Sequence, residues 1–188
     1  IIEDFNSKIW VGTYGDGLYS YSKQTKETNH FVAESSDPNS LSENEIQSLF
    51  VDNSGILWIG TQLGSGINKY EVNINNFKTI PVLTEKNKSL NDNIVWAVHE
   101  DKENNIWIGT HRGGLNKWDK EKNEYTYFTN QQNLPDNHIR AITEDKKGNL
   151  WIGTYSGGLS YFNKEKSTFK NFTKNDNSNS LNAVQILL

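Results

Sequence analysis

One tetrapeptide recurs four times along the chain, as Trp10-Val-Gly-Thr13, Trp58-Ile-Gly-Thr61, Trp107-Ile-Gly-Thr110 and Trp151-Ile-Gly-Thr154, at intervals of 48, 49 and 44 residues. Six residues before each Trp stands an Asp: Asp4, Asp52, Asp101 and Asp145. Shortly after each Thr comes Gly17-Leu18, Gly66-Ile67, Gly114-Leu115 or Gly158-Leu159, and then an aromatic pair such as Tyr125-x-x-Phe128 or Phe169-x-x-Phe172. A polar loop closes each unit near Ser40-Leu41, Ser89-Leu90, Asn133-Leu134 and Ser180-Leu181. Self-similarity at such an interval makes the fold a stack of copies of one supersecondary unit, each too small to bury its apolar face alone.

Within a unit the patterning is that of strands. Strand A alternates, with Ile46, Ser48 and Phe50 set against Gln47, Leu49 and Val51, and again over Ile139–Asp145. Strand B is the Leu/Ile-Trp-Ile-Gly-Thr run, strand C follows the Gly-Leu step, and strand D carries the aromatic pair. Period-two alternation, aromatic and β-branched residues, and Gly/Asn/Asp turns all favour strands, and no stretch sustains a 3.6-residue period. Four short strands per repeat of 40–50 residues predict an all-β chain, a β-propeller built of four repeats, each a blade of four antiparallel strands. The repeats run approximately over 1–44, 45–93, 94–137 and 138–182, with 183–188 beginning or closing a further blade.

The repeated residues then have scaffold roles. In the Asp-x-x-Gly-x-x-Trp turn, Gly55 and Gly148 stand where a left-handed backbone is expected, and Asn104 suits it. Ser7 fits that place less well. The strand-B Gly allows close approach of neighbouring backbone. Each Trp is expected to cover apolar area between adjacent sheets and to send its N–H to a backbone carbonyl. Charge-rich Lys117–Glu124 and Asn163–Lys166 read as solvated C–D turns.

Aligned without gaps, Leu188 falls at the position of Ser48 and Ala97, and Ile1 at the next, so the chain tiles four periods with the cut inside a strand A. Asn182–Leu188 matches other A strands poorly, because Val184 stands where 44, 93 and 137 are Asn. The tail either shares the first blade's sheet, or the chain is part of a longer array, or two chains complete one ring; a larger ring in a longer parent is favoured. The expected assemblies are therefore a homodimer or pairing with missing blades of a parent protein. Open blade ends would expose unpaired edges.

Composition removes several functions. Lys and Arg number 19 against 23 Asp and Glu, for a net charge of −4, so nothing attracts nucleic acid or an anionic membrane surface, and no direct membrane contact is expected. Cysteine is absent, which excludes disulfides, thiolate catalysis and Cys-ligated metals. Methionine is absent too, as expected of a processed or excised chain. Mean hydropathy is −0.75, low enough to suggest disorder, but six Trp, four of them recurring at the repeat interval, argue for a packed core. The longest uncharged apolar runs, such as Ala183–Leu188, are too short for a bilayer span.

The run Asn137-x-Ile139-x-x-Ile142-x-Glu144-Asp145-x-x-Gly148-Asn149-Leu150-Trp151-Ile152-Gly153-Thr154-x-x-Gly157-Gly158-Leu159 resembles the two-component regulator propeller repeat. The resemblance recurs four times over nearly the whole chain. It implies a periplasmic or extracellular sensor region of a membrane-anchored signalling protein, typically ahead of a histidine kinase and often recognising carbohydrate. Family rings commonly have seven blades, so four is a departure.

No catalytic spacing accompanies the repeats. Equivalent Asp residues in every blade read as turn formers rather than calcium ligands or glycosidase acids. His30, His99, His111 and His138 show no metal-ligand spacing, and Gly64-Ser65-Gly66 lacks the lysine and helix of a phosphate loop. Asn87-Lys-Ser89 and Asn171-Phe-Thr173 match the glycosylation pattern, as an Asn-rich chain does by chance. The expectation is a non-catalytic module with no cofactor and no metal.

What varies between copies carries the candidate site. B–C and D–A loops share one face of a propeller, around the channel mouth. The B–C loops contribute Tyr14, Asp16, Gln62, His111, Arg112 and Tyr155, and the starts of strand A contribute Gln47, Trp96 and Arg140. Rings that stack on sugar C–H faces, beside forked donors and a carboxylate, suit an oligosaccharide or another polar small molecule. A scaffold that binds protein, and less strongly a propeller lyase or hydrolase, are the alternatives; a carboxylate–histidine pair at the mouth would favour the enzyme.

Overall fold

The computed structural model describes residues 1–62, 66–71, 76–81 and 88–173, without the side chain of Pro81. The predicted tail Asn182–Leu188, the Ser180-Leu181 step and Gly64-Ser65 lie outside them.

Four four-stranded antiparallel sheets follow one another, each a meander in chain order. The first has β1 (Ile2–Glu3), β2 (Lys8–Gly12), β3 (Leu18–Ser22) and β4 (Thr28–Phe31). The second has β5 (Ile46–Val51), β6 (Leu57–Thr61), β7 (Gly66–Glu71) and β8 (Asn76–Pro81). The third has β9 (Val95–Glu100), β10 (Ile106–Thr110), β11 (Leu115–Asp119) and β12 (Glu124–Phe128). The fourth has β13 (Ile139–Glu144), β14 (Leu150–Thr154), β15 (Leu159–Asn163) and β16 (Thr168–Phe172). One turn of 3₁₀ helix, Asn130–Gln132, capped by Thr129, interrupts the loop into the fourth sheet.

Packing explains the period. The principal contacts between sheets join successive blades, first strand on first strand. Three apolar cores fill the three junctions. Trp10 packs on Ile59, Tyr70 and Phe77 of the second blade. Trp58 packs with Ile106, Ile108 and Tyr125 of the third. Trp107 packs with Leu150, Ile152 and Phe162 of the fourth. Leu41, Leu90 and Leu134, from the loop that closes each unit, are buried in the same cores. Between these rows the strand-B glycine is obligatory. A Cβ on Gly12 would stand 2.4 Å from Ile46 Cγ2, and one on Gly109 2.5 Å from Ile139 Cγ2, both on the next blade's first strand.

The repeated Asp does more than turn the chain, and the destination expected for the Trp N–H is corrected. Asp52 Oδ1 accepts from Ser54 N at 2.9 Å and Ile56 N at 3.0 Å, while Oδ2 accepts from the Trp58 indole at 2.9 Å. The indoles of Trp10 and Trp107 likewise donate to Asp4 at 2.8 Å and Asp101 at 2.6 Å, not to backbone carbonyls. The carboxylate is the better acceptor because it is charged and already fixed by two backbone donors. Trp151 departs from this pattern: half-buried, it stacks on Phe172 and meets Tyr161 edge-on, both of its own blade, and makes no bond to Asp145. Ser7 and Asn104 take the left-handed conformation of Gly55 and Gly148, with φ of 58° and 62°.

The C–D turns are not simply solvated. Lys164 reaches Glu144 at 2.9 Å on its own blade and Asp101 at 3.1 Å on the preceding one, and also pairs with Glu103. Lys120 does the same, with Glu100 at 2.7 Å and Asp52 at 3.6 Å. Burial opposes the Lys164 charge, yet the hydrogen bonds it donates to three carboxylates outweigh this and raise its pKa. Lys117 belongs to β11 rather than to a turn.

Candidate functional site

The meander puts A–B and C–D turns on one face and B–C and D–A loops on the other. On the second face the B–C hairpins are braced. Thr13, Thr110 and Thr154 donate their hydroxyls to the carbonyls of Gly17, Gly114 and Gly158 at 2.8, 3.1 and 2.9 Å. Gly114 has φ of 77°, and a Cβ there would meet Phe128 O at 2.3 Å, so the hairpin has one conformation available.

Strand A contributes through a defect. In β5, β9 and β13 the register with strand B slips at the same place: Ile46 pairs Thr61 but Ser48 pairs Gly60, Val95 pairs Thr110 but Ala97 pairs Gly109, and Ile139 pairs Thr154 but Ala141 pairs Gly153. The residues left over are Gln47, Trp96 and Arg140. A bulge of this kind re-aims a side chain while the strand continues.

Trp96, Arg140 and four loop residues converge. The Arg140 guanidinium lies over the Trp96 ring, 3.6 Å from its centroid, and 5.0 Å from that of Tyr155. Trp96 donates its indole N–H to Gln62 Oε1 at 3.2 Å. His111 lies 4.4 Å from Trp96 and 4.9 Å from His138, ring centre to ring centre, and His138 lies 6.2 Å from Tyr155. Three blades thus supply one polar-aromatic cluster. Arg140 and Tyr155 are exposed; Gln62, Trp96, His111 and His138 are half-buried.

Two carboxylates orient it. Asp136 Oδ1 accepts from His138 N at 2.9 Å and meets His138 Nδ1 at 2.7 Å, while Oδ2 accepts from the backbone and hydroxyl of Ser156 at 2.7 and 2.8 Å. Burial pushes the Asp136 carboxyl up, but these hydrogen bonds to its charged form win and lower it to about 2. Asp92 Oδ2 accepts from Arg112 N at 2.6 Å, which fixes the loop after His111. The pKa of His111 is lowered, first by burial, then by His138, Arg112 and Arg140, with Asp92 opposing.

Of the predicted residues, Gln62, Trp96, His111, Arg140 and Tyr155 come together. Arg112 sits beside them, exposed. Tyr14 and Asp16 do not join this cluster. Asp16 accepts from Tyr19 Oη at 2.5 Å, and Tyr19 stacks flat on His30 at 4.1 Å, forming a separate group on the first blade. Gln47 occupies the equivalent bulge on the second blade and makes no bond to the cluster. His138 was considered only as a metal ligand by spacing; its signal was the Asp136-x-His138 pair at the start of a blade. Among the described residues no group of three His, Asp or Glu is placed to hold a metal.

A concavity of about 1070 Å³ is on the opposite face, between the turns of the third and fourth blades. Several of its charges pair with one another, Lys164 with Asp101 and Glu103 and Lys122 with Asp119, so these offer a ligand little that is unspent. The stacked cluster is the better candidate.

Residues 40–62, 89–112 and 133–156 match the model of the two component regulator propeller family. Over 78 residues, 38% of this chain and 6% of the relative, the sequence is 35% identical to histidine kinase P4 of Formosa agariphila. The fold is similar to the extracellular domain of a hybrid two component system from B. thetaiotaomicron, with a TM-score of 0.75 and 27% identity, covering 90% of this chain and 22% of that one. It is also similar to virginiamycin B lyase from Staphylococcus aureus, with a TM-score of 0.68 over 94% of this chain and 55% of that one, but at 12% identity the likeness is of fold alone. The chain therefore spans a small part of the signalling proteins it matches.

Proposed function

Because the chain carries two-component regulator propeller repeats, we propose that it is a ligand-sensing segment of a two-component signalling protein, acting outside the cytoplasm. Its ligand, a carbohydrate or another polar small molecule, binds where Gln62, Trp96, His111, His138, Arg140 and Tyr155 converge. The observation that carries this reading is the pair of bulges presenting Trp96 and Arg140 side by side from successive first strands, 3.6 Å apart. Stacked rings and forked donors bind sugars without reacting with them. Among the described residues no helix is long and apolar enough to cross a membrane.

A glycan screen on the chain tests the reading, with Trp96→Ala and Arg140→Ala as controls. Saturable binding lost in both variants supports it; binding unchanged in both refutes it. The half-buried Trp151, stacked within its own blade where Trp10, Trp58 and Trp107 are each covered by the next, supports a second element of the proposal, that this face pairs with a further blade. A lyase is the second reading, favoured by the Asp136–His138 pair at 2.7 Å. Recovery of a bound glycan intact after prolonged incubation would reject it.

A further inference from the structure

We propose that the ligand of the Trp96–Arg140 face is anionic, a saccharide bearing carboxylate or sulfate groups, with Arg140 and Arg112 as the groups that take the charge. The inference rests on the reading of this face as the ligand site.

The argument is an inventory of donors and acceptors. Around the cluster stand two arginines, two histidines and two carboxylates. The carboxylates are spent: Asp136 turns both oxygens to His138 and Ser156, and Asp92 accepts from the Arg112 backbone. The arginines are not. Among the described residues, neither the Arg112 nor the Arg140 guanidinium donates a hydrogen bond or pairs with a carboxylate, although the whole chain is acidic, at −4. The two Asp and two Arg charges cancel, so the preference comes from the direction of the free groups rather than from net charge. What remains on offer is a set of N–H donors.

Arg140 is also preorganised. Its guanidinium carbon lies 3.6 Å from the Trp96 ring centroid, a stacking contact that restrains the group while the residue stays exposed. A planar fork held in this way matches the two oxygens of a carboxylate or sulfate and loses little side-chain entropy on binding. A neutral sugar hydroxyl could use one donor of that fork and leave the others unmatched. The exposed Tyr155 supplies an aromatic surface for the sugar ring beside it.

The experiment uses two matched pairs of probes with the intact chain. One pair is tetragalacturonate and the same tetrasaccharide with its carboxyls reduced to alcohols. The other is a sulfated galactose tetrasaccharide and its desulfated form. Binding is followed by calorimetry and by shifts of the His111 and His138 imidazole resonances. The proposal expects at least one anionic member to bind about tenfold or more tightly than its neutral partner, as the loss of a charge-assisted hydrogen bond implies. The pair that shows the difference tells carboxylate from sulfate. Arg140→Gln and Arg112→Gln should bring the anion down toward its neutral partner, and Arg140→Lys should fall between, since it keeps the charge and loses the fork. Neutral members binding as tightly as anionic ones would overturn the proposal and leave the site reading standing. No shift of either imidazole with any of the four probes would overturn both.

Discussion

Asp→Asn, made at equivalent positions in two blades, separates the two roles of the repeated carboxylate. In the second blade, an Asn at 52 can keep its oxygen where Oδ1 accepts from Ser54 and Ile56, at 2.9 and 3.0 Å. Its amide nitrogen then faces two donors, the Trp58 indole at 2.9 Å and the Lys120 ammonium at 3.6 Å. Flipping the amide rescues the indole and strands two backbone groups. Trp58 is 1% exposed and residue 52 is 0%, so the stranded indole cannot turn to water. A hydrogen bond to a charged group contributes about 1.5–3 kcal/mol, and an unmet buried donor costs about 1–3 kcal/mol; the two overlap, which puts Asp52→Asn near 3 kcal/mol. In the fourth blade, Asp145 accepts from Lys147 and Asn149 at 2.8 and 2.9 Å through Oδ1 and holds no indole. Asp145→Asn keeps both turn bonds and should cost below about 1 kcal/mol. Urea unfolding followed by far-ultraviolet circular dichroism reads the difference. With a slope of about 2 kcal/mol per molar, a gap of about 2 kcal/mol separates the two midpoints by about 1 M. Equal losses at the two positions would show that the carboxylate serves the turn alone and that the Trp–Asp bond does nothing for the junction between blades.

Three further outcomes follow from the geometry. Gly109→Ala drives a Cβ to 2.5 Å from Ile139 Cγ2 and should cost about 1–3 kcal/mol by thermal denaturation; an unchanged midpoint would mean the blades are not held at this distance. Lys164→Met leaves Asp101 without its cation and Glu144 with only Lys102 at 4.0 Å, their side chains 0% and 7% exposed, and should cost about 3 kcal/mol. Lys23→Met, at a pair about half exposed, should cost below about 1 kcal/mol, so similar losses would refute the inter-blade role of Lys164. Asp136 has a folded pKa depressed from 3.8 to about 2, so its stabilisation is present above pH 3.8 and is lost as pH falls toward 2. Asp136→Asn should flatten the stability–pH slope in that window, and an identical slope would exclude the His138 and Ser156 bonds as its source.

The fold was legible because each blade meets the same demand. A Trp must reach the next sheet and a Gly must admit the next first strand, as they do at all three junctions, and the motif that solves this is written in every blade. The left-handed turn at Asn104 could be read from side-chain chemistry alone, and even Ser7 follows once the turn is fixed by its neighbours. The ion pairs of Lys120 and Lys164 could not, because a lysine in a polar turn looks the same whether or not a neighbouring blade supplies a carboxylate, here 3.6 and 3.1 Å away. Nor could the bulges. The sequence alternates smoothly through Gln47, Trp96 and Arg140, and the slipped register appears only when strand A is paired with strand B.

Those bulges also mark where the demands of packing between blades end. On one side of each stands Ile46, Val95 or Ile139, all buried, and all three close the junction over the preceding blade's glycine. At the bulge itself the copies diverge into an amide, an indole and a guanidinium, where the junction makes no demand. An internal repeat thus acts as its own control: positions that every blade must solve alike are packing, and positions that differ under the same backbone geometry are free to be used. Trp96 and Arg140 differ from each other and from Gln47, yet they meet across a blade junction at stacking distance. Divergence without contact would be drift. Divergence that assembles a face from three blades is the physical ground for proposing the ligand site there.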